Sequence, residues 1–172
     1  MSTVWARRER ARAAASGRTL LSADLATVTW LTGLVTDVEI GPSPFAPPPL
    51  VVLRPDGSLL AIVNEDEAPG VANGVETRTF PGFAVEDVDR EETIAALALE
   101  ALDGADELSV ELASLPGSLV ATLLGRATNL VDVRSDLRSA RAIKDSEAAE
   151  CESDQLARDD FGALVREVFL DR

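Results

Sequence analysis

Histidine is absent from this chain of 172 residues. Without it the sequence has no Ser-His or Cys-His pair, no mixed His-carboxylate metal site and none of the commonest general base. Cysteine is reduced to Cys151, which excludes an intrachain disulfide and a thiolate metal cluster. No histidine or lysine stands near it to activate a thiolate nucleophile. Lysine is reduced to Lys144, and the net charge is -14. Nucleic-acid binding requires clustered cations that displace counterions from phosphates, so a DNA or RNA partner is not expected. The acidic balance is sufficiently explained by solubility. Glycine occurs in neither the Gly-x-Gly-x-x-Gly nor the Gly-x-x-x-x-Gly-Lys-Ser/Thr pattern, which leaves nucleotide use without support. No apolar run reaches the roughly 18 to 20 residues that span a bilayer. The N-terminal stretch has Arg7, Arg8, Arg10 and Arg12 but no signal-peptide core, so no membrane association is expected and the cytoplasm is the default compartment.

Against these absences stands an apolar content of 46%, spread along the chain and interspersed with charge. That profile, at this length, predicts one folded domain with a real core. Residues 3–16 are rich in Ala and Arg and predict a helix with a basic outer face, capped at Gly17. Thr19 to Ser22 predict a strand. Asp24 then caps a short helix stopped by Gly33, with Leu25, Val28 and Leu31 facing inward. The proline-rich segment Gly41 to Pro49 cannot supply a ladder of N–H donors and reads as a rigid connector, with Phe45 exposed in it.

Leu50 to Leu53 and Leu59 to Val63 are apolar runs joined by Arg54-Pro55-Asp56-Gly57-Ser58, a sequence that supplies the fixed φ and the left-handed position of a turn. Neither run alternates strictly, which predicts strands covered on both faces. Further strands are expected at Val75 to Phe80, Leu108 to Leu112 and Asn129 to Val133. Helices are expected from the capping box at Asp89–Glu92 to Leu102, and from Pro116 to Leu124. The alternation predicts a layered α/β domain. Residues 145–170 carry a helical pattern with Ala157, Phe161, Leu164, Val165 and Val168 on one side. At 1.5 Å per residue such a helix is roughly 39 Å long, more than one small domain needs. Phe161, Leu164, Val165 and Val168 are therefore candidate interface residues.

The acidic groups Glu65-Asp66-Glu67, Asp87 with Asp89, Glu91-Glu92 and Asp159-Asp160 could hold a hard cation, but none has a cation-loop pattern, and solvated faces or helix starts account for them. Trp5, Trp30 and the phenylalanines other than Phe45 read as core filling.

Trp30-Leu31-Thr32-Gly33-Leu34 resembles the Tyr-Leu-Thr-Gly-Phe element of the N-terminal domain of creatinases, prolidases and aminopeptidases P. Leu20-Leu21-Ser22 stands before it as the family's preceding strand, and Leu50 to Gly57 resembles the family's Leu-Val-Val-Pro-x-x-Asp-Gly hairpin. Arg141 and Lys144, followed by acidic residues, resemble the Arg-x-x-Lys-Ser/Asp-x-x-Glu junction between the N-terminal and catalytic domains. Trp30 departs from the usual Tyr, and Ala148 and Ala149 stand where a Glu and a larger aliphatic residue are common.

The resemblance implies a three-layer α/β fold, a mixed six-stranded sheet flanked by helices and similar to ribonuclease H-like domains, over residues 1–144. It implies a linker helix over 145–172 leading into a catalytic domain outside this sequence. It further implies a non-catalytic role in homodimer formation and substrate gating, with Trp30, Leu31, Thr32, Gly33, Asp56, Gly57, Arg141 and Lys144 as structural motif residues. The missing domain, or a partner chain, would pack on the last helix. No catalytic, cofactor or metal-binding residue of the family has a counterpart here, and two divalent metals are expected only in a peptidase-type domain that follows. The alternative is a stand-alone, non-enzymatic interaction module of the same descent. An enzyme built on this chain's own carboxylates and a divalent cation is the least favoured reading.

Overall fold

The computed structural model describes residues 3–35, 47–81, 90–102, 104–126 and 129–143. Among them are six strands, β1 (Thr19–Ser22), β2 (Leu50–Leu53), β3 (Leu59–Asn64), β4 (Glu76–Phe80), β5 (Glu107–Val110) and β6 (Asn129–Asp132). The helices are α1 (Thr3–Ala14), α2 (Leu25–Thr32), α3 (Arg90–Ala101), α4 (Gly117–Gly125) and α5 (Arg134–Ala142). The strands form one mixed sheet in the order β4-β3-β2-β1-β5-β6. β2 lies antiparallel to both β1 and β3, whereas β1 with β5, β3 with β4 and β5 with β6 are parallel.

The aliphatic runs that lack alternation are buried on both faces, as parallel and sandwiched strands require. On one face Leu21, Leu50, Val52, Leu60, Ile62, Leu108 and Val110 pack with Ile94 and Ala98 of α3 and with Leu119 and Leu123 of α4. On the other, Leu20, Val51, Leu53, Leu59, Ala61 and Val63 pack with Ala11 of α1, Val28 and Leu31 of α2 and Leu137 of α5. Successive side chains along a strand point to opposite faces, so each run feeds both cores. Each fully buried Leu, Ile or Val side chain contributes about 1.5–3 kcal/mol through removal from water.

Local chemistry sets the element ends. Between β2 and β3 the Asp56 carboxylate accepts from the Ser58 N–H at 2.8 Å, Gly57 takes φ +86°, and the Gly57 N–H reaches the Arg54 carbonyl at 2.9 Å. The Asp56 carboxyl is held below the usual carboxylate range by its hydrogen bonds to Ser58, side chain first and backbone next. α2 begins where Asp24 Oδ1 accepts from the Thr27 N–H at 3.0 Å, and it ends at Gly33, whose φ of +73° is the left-handed position a side chain resists.

Several expectations change. Leu25 is 45% exposed, because the first turn of α2 lies at the rim of the layer; Val28 and Leu31 do face the core. The arginines of α1 are half-buried instead of forming an outer face: Arg8 donates to the Gly74 carbonyl at 3.1 Å, and desolvation lowers its affinity for its proton. Trp5 is 48% exposed, so it does not fill the core. β5 ends at Val110, since Leu112–Ser114 turn as a single 3-10 step. Helix α5 was not expected at all. Leu137 is its one buried residue in a sequence otherwise of Arg, Ser, Ala and Asp, and its start is held by Asp132 Oδ1 accepting from the Arg134 N–H at 3.2 Å. Most of the proline-rich segment with Phe45, the capping box at Asp89, and the residues from Lys144 onward lie outside the described residues. Among the described residues no helix is long and apolar enough to cross a membrane.

Candidate functional site

The most unusual chemistry in the fold lies at the C-terminal ends of the neighbouring parallel strands β1 and β5, the side of an α/β sheet where polar sites form. The first residue beyond β5 is Glu111, whose N–H continues the ladder to the Leu21 carbonyl at 3.3 Å. Its side chain turns inward and is only 1% exposed. A carboxylate in such a position is costly unless hydrogen bonds replace water. Two hydroxyls do so at Oε2: Ser22 Oγ, from the last residue of β1, donates at 2.5 Å, and Thr27 Oγ1, from the first turns of α2, donates at 2.6 Å.

The neighbouring turn is tied to the same point. Ser114 Oγ donates to the Glu111 carbonyl at 2.8 Å and accepts from the Ala23 N–H at 3.1 Å, and the Asp24 N–H donates to Ser22 Oγ at 3.1 Å. Arg141, near the end of α5, completes the arrangement. Its Nη1 donates to Asp24 Oδ1 at 2.7 Å and to Thr27 Oγ1, and it stands 3.9 Å from Glu111 Oε1. Burial works against ionisation of Asp24. The Thr27 N–H, and after it the hydrogen bond and charge of Arg141, outweigh that effect and hold its carboxyl below the ordinary range. Beside this network opens a cavity of about 350 Å³ whose lining includes Asp24, Leu25, Glu111, Ser114 and Arg134.

The sequence motifs do not converge here as a group. Trp30 to Gly33 form the opposite end of α2. Trp30 is half-buried with the Arg10 guanidinium 5.5 Å from its ring centroid, an arrangement that favours cation–π attraction. Leu31 is in the core, and Thr32 Oγ1 donates to the Val28 carbonyl at 2.7 Å and accepts from the Leu34 N–H at 3.1 Å. Gly33 faces Ala72, where an added Cβ would meet the Ala72 Cβ at 3.4 Å. Asp56 and Gly57 sit at the hairpin tip against α1. Only Arg141 reaches the buried network. Lys144, Phe161, Leu164, Val165 and Val168 lie outside the described residues. The sequence alone does not mark Ser22, Thr27 or Glu111, and in it Asp24 reads only as a cap. The one available signal was a charge, Glu111, inside the apolar run from Leu108 to Leu112.

Among the described residues no three His, Cys, Asp or Glu side chains are placed to hold a metal ion together. The network offers buried acceptors and hydroxyls that are already engaged with one another and with a cation. That chemistry positions elements; it presents no activated nucleophile.

No protein-family model matches the sequence, and no curated protein matches it. Solved structures do. The prolidase from Pyrococcus horikoshii aligns at 20% identity and a TM-score of 0.54 over 86% of this chain and 37% of its own length. The Xaa-Pro dipeptidase from Bacillus anthracis aligns at 15% identity and 0.57 over 84% of this chain, again 37% of its own. The separately solved N-terminal domain of the cytoplasmic peptidase PepQ from Mycobacterium tuberculosis aligns at 19% identity and 0.52 over 81% of this chain and 99% of that domain. The fold is therefore that of a creatinase/prolidase N-terminal domain, in agreement with the motifs. The chain spans little more than a third of the whole enzymes it matches.

Proposed function

We propose that this chain is the non-catalytic N-terminal domain of a Xaa-Pro peptidase or creatinase-like hydrolase, serving dimerisation and substrate gating. The observation that carries the reading is the match to essentially the whole of an isolated N-terminal domain, 99% of its length, but to only 37% of complete enzymes. The missing histidine is consistent with it, since two-metal hydrolysis would draw its ligands from a separate domain. In this reading residues 1–144 form the domain and 145–172 the connection to the catalytic part. Two divalent metals are expected in that part only if it is of the peptidase type, and none is expected in this chain.

The reading frame beyond the codon for Arg172 provides the test. The proposal expects a further domain with His, Asp and Glu ligands, and a stop codon there would sink it. A second reading, the stand-alone interaction module, draws on the apolar stripe of Phe161, Leu164, Val165 and Val168 in the sequence. Light scattering of the chain and of Phe161→Asp bears on the second reading, because only the module makes the dimer depend on this stripe. A tight dimer that Phe161→Asp dissolves supports the module, and a monomer opposes it.

A further inference from the structure

We infer that Asp24, Thr27 and Glu111 form a guanidinium receptor built into the domain, and that its resident ligand is Arg141 of the same chain. The receptor comes from two elements distant in sequence: the cap and first turns of α2, and the residue that follows β5. Arg141 arrives from a third, α5. Asp24 supplies a carboxylate at 2.7 Å, Thr27 supplies a hydroxyl oxygen, and Glu111 supplies a second carboxylate whose Oε1 is 3.9 Å from the same Nη1.

Glu111 is what makes this a receptor and more than a surface ion pair. Its side chain is 1% exposed, and Oε2 is saturated by Ser22 and Thr27. Oε1 has no hydrogen-bond partner among the described residues. A buried carboxylate oxygen without a donor is costly, and the guanidinium is the nearest cation that offsets it. The Arg141 side chain is 16% exposed, so its charge too has left most of its water and depends on these acceptors. The three acceptors converge on one nitrogen, Nη1, of a guanidinium that is delocalised and weakly hydrated and so leaves water readily, whereas an ammonium is a compact and strongly hydrated point charge.

The seat has a structural consequence. α5 presents one buried aliphatic, Leu137, and otherwise an Arg/Ser surface, so hydrophobic burial alone holds it weakly. Arg141 pins its far end to α2 and β5. The cavity beside the seat, lined by Arg134 as well as Glu111, gives a small molecule a path to the receptor once the resident side chain is removed.

The test is chemical rescue in the full chain. Arg141→Ala should lower the melting temperature by several degrees, and methylguanidinium at millimolar concentration should restore part of the loss in a saturable way, as expected for a ligand that binds only the folded state. Methylammonium at matched ionic strength should not restore it. The wild type should respond to neither, and Arg141→Ala combined with Glu111→Gln should lose the rescue. If Arg141→Ala does not fold, Arg141→Lys takes its place. That variant keeps the charge and should still melt below the wild type, with faster hydrogen exchange in α5. An unchanged melting temperature in Arg141→Ala, equal rescue by methylammonium, rescue that survives Glu111→Gln, or an Arg141→Lys protein indistinguishable from wild type would each overturn the inference.

Discussion

The β2–β3 hairpin and the C-terminal ends of β1 and β5 are both excluded from solvent, but by opposite chemistry. In the hairpin every buried side chain from Leu50 to Val63 is aliphatic, and any of them could be exchanged for a similar shape at modest cost. At the ends of β1 and β5 the buried side chains include Ser22, Thr27 and Glu111, each useful only because the others and Arg141 are present. The first region is held by non-directional burial and the second by directional bonds with exact partners. The two should therefore fail differently when altered.

The largest effect is expected in the hairpin. Leu60→Ala, near the start of β3 and fully buried, should cost about 2–5 kcal/mol in denaturant unfolding through lost transfer energy and a residual cavity. Glu111→Met tests the other region. It keeps bulk but leaves the Ser22 and Thr27 hydroxyls without their acceptor, and should cost about 1–3 kcal/mol. Restoring packing should not recover that loss, whereas Leu60→Met should recover most of the loss seen with alanine. If both sites tolerated apolar exchange equally, the contrast between the regions would disappear.

Next in size is Gly33→Ala at the end of α2. A side chain at φ +73° costs about 1–2 kcal/mol. The nearby Ala72 Cβ leaves it little room to relax. Asp24→Asn isolates the charge of the seat, because Asn caps a helix about as well as Asp. Asp24 has a depressed folded pKa, so its contribution is complete above its ordinary value of about 4 and is lost as pH falls through the lower folded value. The difference in melting temperature between wild type and Asp24→Asn should accordingly be constant near neutrality and shrink in that acid window.

The smallest effect lies in the turn that follows β3. Glu67 is pushed up by desolvation first and by the neighbouring Asp66 charge, against the hydrogen bond from the Asn64 N–H. Its ionisation therefore opposes folding as pH rises from its ordinary value through the raised folded one. Glu67→Gln should raise the melting temperature slightly at pH 7 and not at all below about pH 4, where both states bind the proton.

The same contrast explains what could be read without coordinates. Leu50 to Val63 declared itself through uninterrupted apolar runs and the Pro55-Asp56-Gly57 turn, because strand burial and turn geometry are properties of a few consecutive residues. The motif from Trp30 to Gly33 and the cap at Asp24 were legible for the same reason. The buried network was not, since Glu111 meets Ser22 across 89 residues and Arg141 meets Thr27 across 114. No local period encodes such a meeting. Helix α5 escaped notice because its low apolar content hides its one core residue, Leu137, and because part of what holds it is the arginine seat.

On the function proposed above, this domain positions and docks, while bond cleavage resides elsewhere. The direct measurement is hydrolysis of Xaa-Pro dipeptides by the purified chain, alone and with manganese, cobalt or zinc. The account expects no turnover above buffer with any of them. Turnover that stays with the protein through purification and is abolished by Glu111→Gln would contradict it.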